Sequence, residues 1–153
     1  MKGLHIVADL HHCPPGDFLI SAKALRALCL QACDTAGLTV LGEHFYQFKA
    51  LNKVGQADPR AAQDGGATGA VILAESHLAV HTWPERSEVS LDVYVCNVTA
   101  DNSPKAERLY QLMIEAFKPA DIVVERIWRG KERPAELPVG TITANAAITA
   151  IAA

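Results

Sequence analysis

The chain has no surplus of basic residues: 14 Lys+Arg stand against 17 Asp+Glu, a formal charge of −3. The electrostatic footprint of a generic nucleic-acid binder is therefore missing. No apolar run is long enough to cross a bilayer. Met1-Lys2-Gly3 leads straight into a short apolar stretch closed by Asp9, without the layout of a signal peptide. The four cysteines (Cys13, Cys29, Cys33, Cys96) form no CxxC pair, which disfavours a zinc finger or a redox couple. They read as cytosolic thiols. The serine-hydrolase elbow GxSxG is absent, and there is no internal repeat. The expectation is a cytoplasmic protein with no nucleic-acid or membrane partner.

What is present is ordinary globular composition, with 50% hydrophobic and 20% charged residues over 153 positions. That length suits one domain, and a chain of this size buries about two thirds of its unfolded surface without a metal or disulfide staple. Gly3 to Asp9 reads as a strand, and His11-His12-Cys13-Pro14-Pro15-Gly16 as a loop, since two prolines and a glycine continue neither strand nor helix. Asp17 is the expected N-cap of a helix whose face carries Leu25, Leu28, Cys29 and Ala32, stopped by Gly37. Cys29 and Cys33 lie one turn apart and are expected to pack. Strands are expected at Thr39–Phe48, Gly69–Glu75 and His77–Thr82. Val89, Leu91, Val93 and Val95 alternate with Ser90, Asp92, Tyr94 and Cys96, the period of a half-buried strand. Ser103 is the expected N-cap of a second helix, with Pro104 at its first position. Ala106, Leu109, Tyr110, Met113 and Phe117 form its stripe, and Ile122–Trp128 is the last strand.

The order β-α-β-β-β-β-α-β predicts an α+β fold: a two-layer α/β sandwich, a mostly antiparallel sheet with two helices on one face. The domain is expected to span residues 1–136. Residues 137–153 carry no charge and read as a flexible tail or a partner-docking segment. Residues 49–66 form a long loop without periodicity.

The segment that can carry chemistry is Glu75-Ser76-His77-Leu78-Ala79-Val80-His81-Thr82-Trp83-Pro84-Glu85. An acid, a hydroxyl and two imidazoles among apolar residues cost stability unless satisfied. The plain structural reading is a turn at Ser76 and a hydrogen-bonded core histidine at position 81. A metal site from His77 and His81, with His11, His12 or Cys13, needs a helix. In a strand the same spacing separates the two histidines by more than about 10 Å, and Pro84 and the valines favour strand. A Ser76–His81 nucleophile pair lacks its elbow. The remaining reading makes Ser76 the precursor of a cofactor.

GATGAVILAESHLAVHTWPE followed by LDVYVC, with HIVADLHHC at the start, closely resembles the S-adenosylmethionine decarboxylase proenzymes of the small bacterial and archaeal type. The resemblance runs from about residue 3 to about residue 130. It implies a two-layer sandwich that dimerises, and self-cleavage between Glu75 and Ser76 into chains 1–75 and 76–153. The serine hydroxyl attacks the preceding carbonyl, and β-elimination and hydrolysis leave a pyruvoyl group on residue 76. It further implies that substrate joins this group as a Schiff base, with no metal and no pyridoxal phosphate. His81 matches the processing histidine, Thr68 stands at the serine that assists processing, and Cys96 matches the proton donor. Glu85 matches the glutamate that binds the ribose hydroxyls. Phe48 falls where an aromatic faces adenine, Asp9 where an acid lies near the sulfonium or amine, and Leu78 is a further lining candidate.

The implied activity is decarboxylation of S-adenosylmethionine to the aminopropyl donor for spermidine. Departures at Arg86-Ser87-Glu88, Asn97 and Leu10-His11-His12, and the long 49–66 segment, leave substrate choice open, and threonine at position 68 leaves processing open, so two other readings stand. One is an ornithine or arginine decarboxylase on the same scaffold, and the other an uncleaved regulatory paralogue. Retained Glu85 favours a nucleoside, and retained Ser76, His81 and Cys96 favour an active enzyme.

Overall fold

The structure is a computed structural model and describes residues 2–49, 65–98 and 100–130. The 137–153 tail, the boundary at 136 and most of the 49–66 loop lie outside the described residues. Six strands, β1 (Gly3–His11), β2 (Val40–Gln47), β3 (Ala67–Leu73), β4 (Ser76–Trp83), β5 (Glu88–Cys96) and β6 (Asp121–Arg129), form one sheet in the order β2-β3-β4-β5-β1-β6. Each neighbouring pair is antiparallel. Helices α1 (Asp17–Ile20), α2 (Ala22–Thr35) and α3 (Ser103–Phe117) pack on one face. The α+β two-layer sandwich expected from the sequence is the fold observed.

Period-two patterning decides which face is covered. Leu4, Ile6, Ala8 and Leu10 of β1, Leu78 and Val80 of β4, and Val89, Leu91, Val93 and Val95 of β5 point under the helices and are buried. Leu25, Cys29, Ala32 and Cys33 of α2 and Ala106, Leu109, Tyr110, Met113 and Phe117 of α3 close the core from above. Cys29 and Cys33 are thus packed as expected. Burial pushes both thiols up, Cys33 to about 12. Phe45 reaches the same core because its cross-strand partner is Gly69; any Cβ at that glycine would fall on the Phe45 ring.

The opposite sheet face is bare. Ile72, Trp83, Val123, Ile127 and Tyr46 are exposed on it, beside His5, Asp9, Thr68, His77, His81, Ser90 and Asp92. The polar members of each alternating strand therefore gather on one surface.

Three local expectations change. A one-turn helix, α1, precedes the main helix, so the described residues form three helices rather than two. Gly16, not Asp17, is its N-cap, while Ser21 caps α2 by accepting from the amide of Ala24 at 3.2 Å. Asn102 rather than Ser103 precedes α3, because the Asn102 side chain is turned back to donate to the Cys96 carbonyl. Gly37 does end α2, with φ +71° and its amide on the Asp34 carbonyl. No described helix is long and apolar enough to cross a membrane.

Candidate active site

Ala74 and Glu75 form the tight turn between β3 and β4. Ser76 begins β4 with φ +148°, a region that a residue with a Cβ rarely adopts. A conformation of this kind costs roughly 1–3 kcal/mol and persists only where its surroundings enforce it. Three contacts do so. The Cys96 amide donates to the Glu75 carbonyl at 2.8 Å, the Glu75 carboxylate accepts from the Thr39 amide at 3.2 Å, and the Ala74 amide bonds the Thr39 carbonyl at 2.9 Å. The Glu75–Ser76 peptide is therefore held between two neighbouring segments, its carbonyl already polarised by one N–H donor. Cys96 ends β5 beside it, buried, with its carbonyl tied to Asn102.

Thr68 and His81 are directly opposed on β3 and β4, and Thr68 Oγ1 lies 2.6 Å from His81 Nδ1. They sit toward the other end of β4 from Ser76. His81 is five residues along β4 from Ser76, about 16 Å at the rise of an extended strand. Within one chain, then, Glu75, Ser76 and Cys96 form one group and Thr68 and His81 a second.

The second group opens into a cleft of about 430 Å³ lined by Phe48, Thr68, His81, Trp83 and Glu85. Phe48 is half exposed there and meets Tyr46 edge-on, with ring centroids 5.0 Å apart. Thr82, on the reverse side of β4, anchors the cleft floor. Its hydroxyl accepts from the Ala67 amide at 2.8 Å and donates to the Leu19 carbonyl at 2.7 Å. Asp9 lines an adjoining cleft of about 460 Å³ with His81, Ser90, Asp92 and Glu125, and accepts from the Ser90 hydroxyl at 2.6 Å. Leu78 is fully buried beneath the helices. It belongs to the core and lines neither cleft, because its place in β4 has the parity of Val80 and not of His81.

The sequence model of S-adenosylmethionine decarboxylase matches residues 4–130, which takes in every described strand and helix except the first residue of β1. The chain belongs to the S-adenosylmethionine decarboxylase family. It is 37% identical over 120 residues to the S-adenosylmethionine decarboxylase proenzyme of Aquifex aeolicus, covering 78% of this chain and 75% of that one. It is 32% identical over 130 residues to the proenzyme of Picrophilus torridus, covering 85% of each. The crystal structure of the adenosylmethionine decarboxylase from Aquifex aeolicus superposes with a TM-score of 0.68 at 32% identity, over 90% of this chain and 98% of that one. The family resemblance read from the ESH, HTWPE and LDVYVC segments is thereby upheld.

Within this S-adenosylmethionine decarboxylase fold, two features escape a reading of residue types. The Cys96 contact to Glu75 is made by a backbone N–H, which leaves no trace in the sequence. Trp83 stands inside a motif already singled out, yet only the structure turns its ring toward His81, 6.0 Å between centroids, and into the cleft with Glu85.

Proposed function

We propose that the chain is a self-cleaving, pyruvoyl-dependent S-adenosylmethionine decarboxylase of the cytoplasm, making the aminopropyl donor for spermidine, and that it acts as a homodimer. The observation that carries the cleavage step is the Glu75–Ser76 bond, with Ser76 at φ +148° and the Glu75 carbonyl hydrogen-bonded by the Cys96 amide. The Ser76 hydroxyl adds to this carbonyl. The C–N bond breaks as the C–O bond forms, which turns the amide into an ester and leaves the Ser76 nitrogen as an amine. The Cys96 N–H stabilises the charge that develops on the carbonyl oxygen, as an oxyanion donor does. Removal of the Ser76 α-proton by His81, held by the Thr68 hydroxyl, expels the Glu75 carboxylate. Water then replaces the nitrogen, which leaves as ammonia. The residues fit a pyruvoyl group at position 76, because the serine that must become it starts a strand paired on both sides.

A pyruvoyl ketone supplies an electron sink for the carbanion left by loss of carbon dioxide. The chain's own residues do the rest. Glu85 accepts from the ribose diol and Phe48 offers a ring face to adenine, both from the one cleft. Asp9 places a carboxylate toward the cationic part of the substrate. The Cys96 thiol returns a proton to the α-carbon. The named relatives support S-adenosylmethionine over ornithine or arginine.

The dimer follows from the separation of the two groups. Cleavage needs His81 at the Ser76 bond, but about 16 Å of strand lies between them. Stacking two bare faces about a two-fold axis that crosses the strands sets the Ser76–Cys96 end of one chain over the Thr68–His81 end of the other. Packed sheets lie about 10 Å apart, a distance that side chains from both faces span. The exposed Ile72, Trp83, Val123 and Ile127 supply apolar surface for this contact.

The test is intact mass under denaturing conditions. Two chains, 1–75 and 76–153 with a pyruvoyl terminus, are expected in place of one 16.4 kDa chain. Ser76→Ala should leave a single chain. Cleavage in that variant, or an uncut wild-type chain, overturns the proposal.

A further inference from the structure

His5 on β1 and His77 on β4 both pair with Tyr94 on the intervening strand β5, one from each side. Asp92 lies two residues along β5 from Tyr94, on the same bare face. Both imidazoles lean over the Tyr94 ring, with centroids 5.5 and 5.8 Å from it, and both aim Nε2 at one oxygen of Asp92. The distances are 2.8 Å from His5 and 3.2 Å from His77. The three donor atoms lie within 4.8 Å of one another. His77 thus joins His5 and not His81, so this is a different set from the one that His spacing along the chain suggests.

We propose that His5, His77 and Asp92 bind one divalent transition-metal ion of the zinc class on the bare sheet face. Two imidazoles and a carboxylate suit zinc, cobalt or nickel, whereas magnesium and calcium prefer oxygen donors throughout. Bonds of about 2.0–2.1 Å in a tetrahedron put neighbouring donors about 3.3 Å apart. The two His–Asp separations already approach that value. Each imidazole now shares its Nε2 with Asp92; binding requires only that the ring proton move to Nδ1, which frees the Nε2 lone pair. The Tyr94 ring fixes the tilt of both imidazoles, and Arg129 covers that ring at 4.3 Å. Asp9 and Glu125, which line the same cleft as Asp92, add negative potential for a cation. All three ligands are partly buried in the single chain, and in the proposed dimer the ion's remaining position faces the partner's sheet.

The site does not depend on cleavage or on decarboxylation, and its test is independent of both. Chelator-treated full-length protein, wild-type and Ser76→Ala in parallel, is titrated with Co²⁺ while visible absorption is followed, and the bound ion is then displaced with Zn²⁺. One equivalent is expected to saturate, with the intense bands of a tetrahedral ion, in both proteins. His5→Gln, His77→Gln and Asp92→Asn should each weaken binding at least about tenfold, while a His11→Gln/His12→Gln double variant should bind like the parent. Asp92→Asn keeps an acceptor for both imidazoles and serves where a histidine variant fails to fold. Absence of saturable binding at one equivalent overturns the site, as does binding that these three substitutions leave unchanged.

Discussion

Co-expression of a Ser76→Ala chain with a His81→Ala chain separates a shared site from one contained in a single subunit. The five residue steps from Ser76 to His81 in β4 span about 16 Å, and an imidazole reaches roughly 6 Å from its Cα, so no rotamer closes the gap. In a two-fold dimer the bond at Ser76 of one chain meets His81 of its partner. Each variant alone has no complete site and should stay uncut or be cut very slowly. In a mixed dimer the His81→Ala chain contributes its intact Ser76 and meets the intact His81 of the Ser76→Ala chain. The reciprocal site lacks both groups. Random pairing of equal amounts makes about half of the dimers mixed, so about half of the His81→Ala chains, and about a quarter of all chains, should be cleaved. Intact mass spectrometry reads this directly, because the two variants differ in mass. No cleavage in the mixture would refute the shared site. Cleavage of the His81→Ala chain on its own at the wild-type rate would refute the role of His81.

Other expectations concern stability. Ser76→Gly should be more stable than Ser76→Ala by about 1 kcal/mol, because glycine adopts φ +148° freely while alanine keeps the strain, and the gain outweighs the extra entropy of unfolded glycine; equal denaturation midpoints would show that Ser76 stores none. Thr82→Val should cost about 2–3 kcal/mol, since it strands the Ala67 amide and the Leu19 carbonyl in the core, and a loss below about 0.5 kcal/mol in urea melts would contradict the packing of α1 on β4. The raised thiol of Cys33, up to about 12 from 9.0 mainly by burial, adds stability that is complete below about pH 9 and fades as pH rises toward 12. Cys33→Ala should flatten that alkaline decline, and an unchanged slope would locate its cause elsewhere.

The residues that announced their structure were those whose local pattern agrees with their tertiary setting. Val89–Val95 alternate because one face is covered, and the α3 stripe from Ala106 to Phe117 recurs because one side of that helix is buried. The short α1 turn had no such period, since four residues are too few to display one. Glu75, Ser76, His81 and Cys96 stood out as candidates through an unusual motif, but their division into two groups could not be read from it. Spacing in a strand gives separation along the chain and says nothing of what a second copy brings. Leu78 misled because it stands between motif residues, where only parity tells core from cleft. The meeting of His5 with His77 and Asp92 required strand order, which no window of sequence contains.

That strand order also decides what a cut after Glu75 would do to the molecule. Strands β1, β2 and β3 precede the cut and β4, β5 and β6 follow it, yet across the sheet they run β2-β3, then β4-β5, then β1, then β6. The two pieces are dovetailed, with β1 of the first clasped between β5 and β6 of the second along its whole length. Prising them apart means opening three ladders at once, and neither piece alone carries a sheet that could survive the separation. Scission would leave one body made of two chains, able to bear a new chain terminus at residue 76 in the middle of its sheet without coming undone.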